Sequence, residues 1–310
     1  RLISAIIMFL LLVNEYLNYN RYNCSTLMYV DKNRGSDKVK VNIDVELYNL
    51  PCDLLSIEIK NNLGLNVQNV EGNLTKYSIN TKHQIIGSKP YTLESLGRFG
   101  HDHDHIAQPD FDSVKTQLKN QEGCKLKGDF WVDAVPGSFI ISPKAFSPTI
   151  ERLRREGFNK VNVEHNIQEL FFGEKITKFR LSDFLNSLSL MYTLKNKKRT
   201  NDKLPMAYQY YLKIVPTKYQ YLNGISYNSY QYTANSFADI SLDRIPVLFF
   251  RYDLSPITVE YKHTKMSFLT FIINVFAILG GVFTVAGIID AIIHKSVLIL
   301  LRKAEMNKIA

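Results

Sequence analysis

Alternating histidines in the run Gly100-His101-Asp102-His103-Asp104-His105 are the most unusual local chemistry in this sequence. In an extended chain, residues two apart fall on the same side, so His101, His103 and His105 share a face, as a metal site sometimes requires. No second set of ligands accompanies them, and a glycine-flanked polar stretch with Pro109 downstream reads as a solvated loop with no metal. The same three imidazoles, with ordinary pKa values near about 6.5, gain charge over mildly acidic pH. Asp102 and Asp104 favour that charged form, which makes the cluster a candidate pH sensor.

The sequence has three cysteines, Cys24, Cys52 and Cys124. None forms the Cys-x-x-Cys spacing that thiol exchange catalysis uses. A Walker loop, a dinucleotide-binding glycine fingerprint and a His-Glu-x-x-His helix are all absent. The chemistry therefore predicts binding and not catalysis, with no cofactor. One disulfide is the natural use of three cysteines on an oxidising side, and the residues alone leave its pairing open.

The elements that position these residues begin with a membrane signal. Residues 268–289 run for 22 positions without a charged side chain, and about 20 apolar residues suffice to cross the hydrocarbon core as a helix. A shorter apolar run, 2–13, opens the chain. Residue 1 is Arg and not Met, and Asn14 to Asn18 offer no small-residue cleavage site, so we expect a truncated first span and not a signal peptide.

Two spans return the chain to the side on which it began. After Ile293 the tail carries Lys295, Arg302, Lys303 and Lys308 against one Glu305, which by the positive-inside rule makes that side cytosolic. Domains are expected at 1–13 (first span), 14–267 (lumenal), 268–293 (second span) and 294–310 (cytosolic tail). Acceptor tripeptides at Asn23-Cys24-Ser25 and Asn73-Leu74-Thr75 fall on the lumenal side, where glycosylation is possible.

Within the second span, Gly280, Thr284, Gly287 and Ala291 share one helix face that permits close approach of another helix, from the first span or from a partner chain. Asp290, near His294 and Lys295, sits at the cytosolic rim. The 297–301 stretch, followed by Arg302 and Lys303, suits the membrane surface.

The formal net charge is +9, but its densest run, Lys195, Lys197, Lys198 and Arg199, lies in a polar stretch that reads as a solvated loop, with no nucleic-acid partner. Val39, Val41, Ile43, Val45 and Leu47 alternate with polar residues, the clearest strand in the chain. Further strand-like runs lie at 54–59, 130–135, 208–215, 226–233, 247–252 and 257–261. Turn residues such as Val135-Pro136-Gly137-Ser138 and Asn223-Gly224 separate them, and their number predicts a β-sandwich. Helices are predicted only at 148–156 and 181–190.

Several strings resemble the ER-Golgi intermediate compartment protein family, also called ER vesicle transporters. They are Tyr-Leu-Lys-Ile-Val-Pro-Thr at 211–217, Arg-Tyr-Asp-Leu-Ser-Pro-Ile-Thr-Val-Glu at 251–260, and the Gly280-Gly281 run at 277–290. Toward the N-terminus, 29–35, Leu50-Pro51-Cys52, Gly123-Cys124 and 135–139 are similar to family motifs too. The likeness is greatest to the family's smaller, first member, and no cysteine lies between Gly87 and Gly123, unlike the cysteine-rich cargo-contacting member.

The resemblance implies a lumenal β-sandwich and a Cys52 to Cys124 bond, leaving Cys24 outside it. It implies a non-catalytic subunit of a cargo-receptor complex that cycles through ER, intermediate compartment and cis-Golgi membranes. The implied partners are paralogous members in a hetero-oligomer, lumenal or membrane cargo, and vesicle coat proteins. Lys308 supplies only one of the two lysines that coat-mediated retrieval reads near a C-terminus. An accessory subunit of a membrane transporter or lipid flippase is the alternative with the same topology.

Overall fold

In the computed structural model, residues 2–30, 38–61, 72–91, 108–158, 161–175, 190–200, 205–222 and 224–309 are described. The His101, His103 and His105 cluster and nearly all of the 181–190 segment lie outside them. The described residues divide into two units: Arg1–Thr26, Gln220–Ile225 and Tyr261–Ala310 form one, and Leu27–Tyr219 with Ser226–Glu260 form the other.

The strands form two sheets, and most of them lie in the larger unit. In chain order the strands are β1 (Tyr22–Val30), β2 (Lys38–Leu47), β3 (Ser56–Asn61), β4 (Gly72–Ile79), β5 (Ile85–Tyr91), β6 (Gly123–Asp133), β7 (Gly137–Ser142), β8 (His165–Phe172), β9 (Lys197–Arg199), β10 (Met206–Gln220), β11 (Ser226–Ile240), β12 (Val247–Leu254) and β13 (Ile257–Lys265). One sheet has the order β1-β13-β10-β12-β7-β3, with β11 also paired to β10, and the other runs β5-β4-β6-β2-β8-β9.

Aromatic rings join the sheets. Phe130 on β6 meets Phe139 on β7 edge to face at 5.4 Å, and Phe250 stacks between Phe139 (4.6 Å) and Tyr210 (5.1 Å). Phe172 on β8 meets Tyr232 on β11 at 5.4 Å, and the Tyr232 hydroxyl donates to the Leu170 carbonyl at 2.8 Å. Each fully buried ring contributes roughly 2–3 kcal/mol of transfer free energy, so this seam dominates the core. His165 bridges the sheets too: its Nε2 lies 2.7 Å from the Tyr210 hydroxyl and its Nδ1 2.8 Å from the Val163 carbonyl.

The alternation along β2 puts Val39, Val41, Ile43, Val45 and Leu47 in the core, all at 3% exposure or less. The polar face departs from the sequence reading, because Asp44 and Glu46 are also buried, at 8% and 6%. β2 is a central strand, and long side chains from β6 and β8 close over it. Lys125 bridges Asp44 (3.1 Å) and Glu46 (3.3 Å), and Gln168 donates to Glu46 at 2.5 Å.

The basic run expected to be a loop instead forms β9, antiparallel to β8 with Arg199 opposite His165. Two helices flank the sheets, α2 (Phe111–Lys119), capped by Asp110, and α3 (Ser147–Arg155), opened by Pro148.

The smaller unit contains α1 (Leu2–Asn20) and α4 (Phe268–Ile309). Among the described residues, one helix is long and apolar enough to cross a membrane, Phe268–Leu300. At 1.5 Å per residue its 33 residues span about 50 Å, beyond the roughly 30 Å hydrocarbon core. α4 does not break at Asp290 or at 294, where the sequence reading ends the span, because the following Leu, Lys, Ala, Glu and Met residues favour helix.

Candidate functional site

Two places carry the residues singled out by sequence: the cysteine-bearing turn of the larger unit and the helix pair of the smaller one. At the turn, Pro51 leads a single 3₁₀ turn, Cys52–Leu54, and Cys52 is bonded to Cys124 at the start of β6 with Cα atoms 4.8 Å apart. Next to Cys124, Gly123 lets the end of β2 pass close by, since a Cβ there would stand 2.3 Å from the Leu47 carbonyl oxygen. Both half-cystines are buried, at 4% and 0% exposure, so no exchange partner reaches the sulfurs.

A lysine holds the same turn from within. Lys76 on β4 donates to the carbonyls of Cys52 (3.0 Å) and Leu55 (2.6 Å) and stands over the Tyr91 ring at 4.2 Å. Burial pushes its ammonium down to about 8, against the pull of Asp53. Burial raises the Asp53 carboxyl, but bonds from Lys89 (3.0 Å) and Gln117 (2.7 Å) outweigh it and hold the group below its usual range.

In the smaller unit, half-buried residues of α1 recur at Ser4, Met8, Leu12, Glu15 and Tyr19, a single helical stripe. On α4 the half-buried stripe passes through Phe271, Asn274, Val275, Ile278, Val282 and Ala286. Asn274 Nδ2 donates to Glu15 Oε1 at 2.8 Å, and Tyr19 meets Phe271 at 4.7 Å. Partner numbers fall on α4 as they rise on α1, so the helices are antiparallel. Lys265 caps this end, 4.9 Å over the Tyr19 ring. Tyr221, in the β10–β11 turn, stacks on His263 at 5.6 Å.

Gly280, Thr284, Gly287 and Ala291 lie on a different side of α4. All four are exposed, a Cβ at either Gly280 or Gly287 would meet nothing within 4 Å, and the Thr284 hydroxyl turns back to the Gly280 carbonyl at 2.7 Å. α1 therefore does not use this face. Asn23 on β1 and Asn73 on β4 are exposed, and so is Cys24.

Sequence reasoning missed Glu15, Asn274 and Lys76. Glu15 and Asn274 are polar residues within largely apolar helical stripes, and that was the available signal. Lys76 gave none, because its partners are backbone carbonyls.

The family profile described as "Endoplasmic reticulum vesicle transporter" matches residues 95–290, and that described as "Endoplasmic Reticulum-Golgi Intermediate Compartment (ERGIC)" matches residues 1–68. The chain is 30% identical over 296 residues to endoplasmic reticulum-Golgi intermediate compartment protein 1 of Danio rerio, covering 93% of this chain and 83% of that protein. It is 28% identical to a probable intermediate compartment protein 3 of Dictyostelium discoideum, covering 91% of this chain and 85% of the relative. It is also 34% identical to protein disulfide-isomerase 5-4 of Arabidopsis thaliana, over 60% of this chain but only 39% of that one.

Proposed function

Because the chain belongs to the endoplasmic reticulum vesicle transporter family, we propose that it is a non-catalytic membrane subunit of a cargo-receptor complex cycling between ER and Golgi. The observation that carries this reading is the alignment with an intermediate compartment protein along 93% of the chain.

In this reading α1 is the first span and α4 the second. Their antiparallel pairing supports both termini on the cytosolic side and the sheets in the lumen of the ER, the intermediate compartment and the cis-Golgi. The similarity to intermediate compartment proteins numbered 1 and 3 supports a hetero-oligomer of paralogues. The open Gly280, Thr284, Gly287 and Ala291 face suits a paralogue's helix, the lumenal sheets meet cargo, and the cytosolic ends meet coat proteins.

The disulfide-isomerase relative does not bring its named activity with it. The shared region is a minor part of that protein, and here the two paired cysteines are 72 positions apart and buried.

Affinity purification of the tagged full chain from native membranes tests the proposal. Co-recovery of a paralogue together with vesicle coat components is expected. Stoichiometric recovery of a polytopic pump without coat components would overturn it in favour of an accessory transporter subunit.

A further inference from the structure

A polar cavity at one end of the six-stranded sheet has no part in the roles assigned above. It is about 210 Å³ and forms where three connections meet a strand: Tyr48 and Asn49 after β2, the β4–β5 turn with Asn80, Thr81 and His83, Gln121 after α2, and Lys198 on β9. A cavity of this size is smaller than the roughly 300–1,000 Å³ that a cofactor-sized ligand takes, and suits a single side chain.

The backbone around it is unusual in one consistent way. His83 has φ 62° and Gln121 has φ 53°, the left-handed region that favours glycine. His83 closes the hairpin, where its N–H reaches the Asn80 carbonyl at 2.9 Å, at a position usually given to glycine. Gln121 ends α2, its N–H bonded to the Leu118 carbonyl at 3.2 Å while Glu122 reaches back to Gln117 at 3.0 Å, the helix stop at which glycine is again usual. At both places the chain carries a polar side chain on the cavity wall in place of the residue its backbone prefers. Such exceptions concentrate where a side chain is needed for binding.

The charge balance indicates what would bind. The Lys198 ammonium stands 5.2 Å over the Tyr48 ring, and among the described residues no carboxylate pairs with it. The nearby acids are already engaged. Glu46 holds Lys125 and Gln168 and lies 3.9 Å from His83 Nδ1, and Glu164 accepts from Asn49 at 3.0 Å. His83 in turn packs edge-on to Tyr48 at 4.9 Å. The cavity thus offers one uncompensated cation with amide and hydroxyl groups that both donate and accept, the complement of a carboxylate next to peptide groups.

We infer that this cavity binds one carboxylate-bearing residue of an extended peptide, with Lys198 as the charge partner and Gln121 and Thr81 holding the adjoining peptide groups. That the ligand is a peptide and not a small metabolite rests on the receptor role proposed above.

The test uses the full chain in detergent micelles and fluorescence anisotropy of three labelled pentapeptides. One has two glutamates and an amidated end, one is neutral with a free C-terminal carboxylate, and one is neutral and amidated. Binding of at least one carboxylate probe is expected, the first marking an acidic side chain as ligand and the second a chain terminus.

Lys198→Met should weaken it at least tenfold, and Lys195→Met, outside the cavity, should not. His83→Gly and Gln121→Gly should weaken binding severalfold while raising Tm, a pairing that a purely structural role does not produce. Absence of binding by both carboxylate probes, equal binding of the amidated neutral probe, or indifference to Lys198→Met would overturn the inference. If these failures occur while paralogue and coat are still recovered, the cavity assignment falls and the receptor role stands. Peptide binding without that recovery would mean the reverse.

Discussion

Asn274 on α4 donates to the carboxylate of Glu15 on α1 at 2.8 Å, a polar bond across a largely apolar helix seam. In hydrocarbon-like surroundings such a bond is worth about 0.6 to 1.7 kcal/mol, but a carboxylate left without its donor costs more. Asn274→Leu should therefore destabilise the helix pair more than the combined Glu15→Leu and Asn274→Leu change. Unfolding in SDS micelles as a double-mutant cycle measures this, and strictly additive losses would count against the bond.

His165 links pH to stability. Burial is the largest influence on it, and its imidazole titrates at about 4 when folded against 6.5 when unfolded. Between these values the unfolded chain binds more protons, so stability is fully present above pH 6.5 and is lost as pH falls toward 4. The difference amounts to about 3 kcal/mol at most. Urea titrations at pH 7, 6, 5 and 4 should show the decline, and His165→Gln should flatten it. An unchanged slope in the variant would remove His165 as the cause.

The sequence made the core legible wherever a strand had one apolar face or many aromatics, as in β2, β10 and β12. β4 and β5 were hidden because Gly72, Asn73, Lys76 and Pro90 break the alternation, and pairing with neighbours overrides weak propensity there. β10 runs through Pro216, where a strand reading stops, because its pairing with β12 already ends at Ile214 opposite Leu254.

α2 did carry a signal in Asp110, whose carboxylate accepts from Ser113 N–H at 3.2 Å. The left-handed backbones of His83 and Gln121 carried none, since neither residue type announces a turn. The cavity they line was visible only in three dimensions.

Lys76 gives a pH signature of the same sign as His165, in a more alkaline window. Its ammonium titrates at about 8 in the folded chain, lowered chiefly by burial, against 10.5 unfolded. The unfolded state binds more protons between those values, so stability should rise with pH from about 8 to 10.5. Lys76→Met should abolish that rise in chemical denaturation curves taken from pH 7.5 to 10. Persistence of the rise would mean another group produces it.

Asn73 and Asn23 differ as glycan acceptors although both are exposed. Asn73 lies well inside the larger unit on β4, whereas Asn23 is three residues past the end of α1 and its carbonyl accepts from Thr264 at 3.3 Å. In cells, Asn73→Gln should remove the main endoglycosidase-sensitive mobility shift, and Asn23→Gln a lesser one. No shift at either site in the secretory pathway would contradict a lumenal placement of the sheets.

The Cys52 to Cys124 bond closes a loop of 72 positions, for which chain-entropy reasoning gives about 4 kcal/mol. Replacing both cysteines with alanine should lower the Tm of the sheet-forming unit by about ten degrees. Lys76 binds the turn through the backbone carbonyls of residues 52 and 55, so the variant keeps the turn but holds it less firmly. Because both half-cystines are buried, the wild-type bond should resist mild reductant until the unit unfolds. Thiol trapping followed by mass spectrometry distinguishes the outcomes: alkylation of Cys52 and Cys124 in the folded protein at low reductant would show that the bond is exchangeable and reopen the case for thiol chemistry.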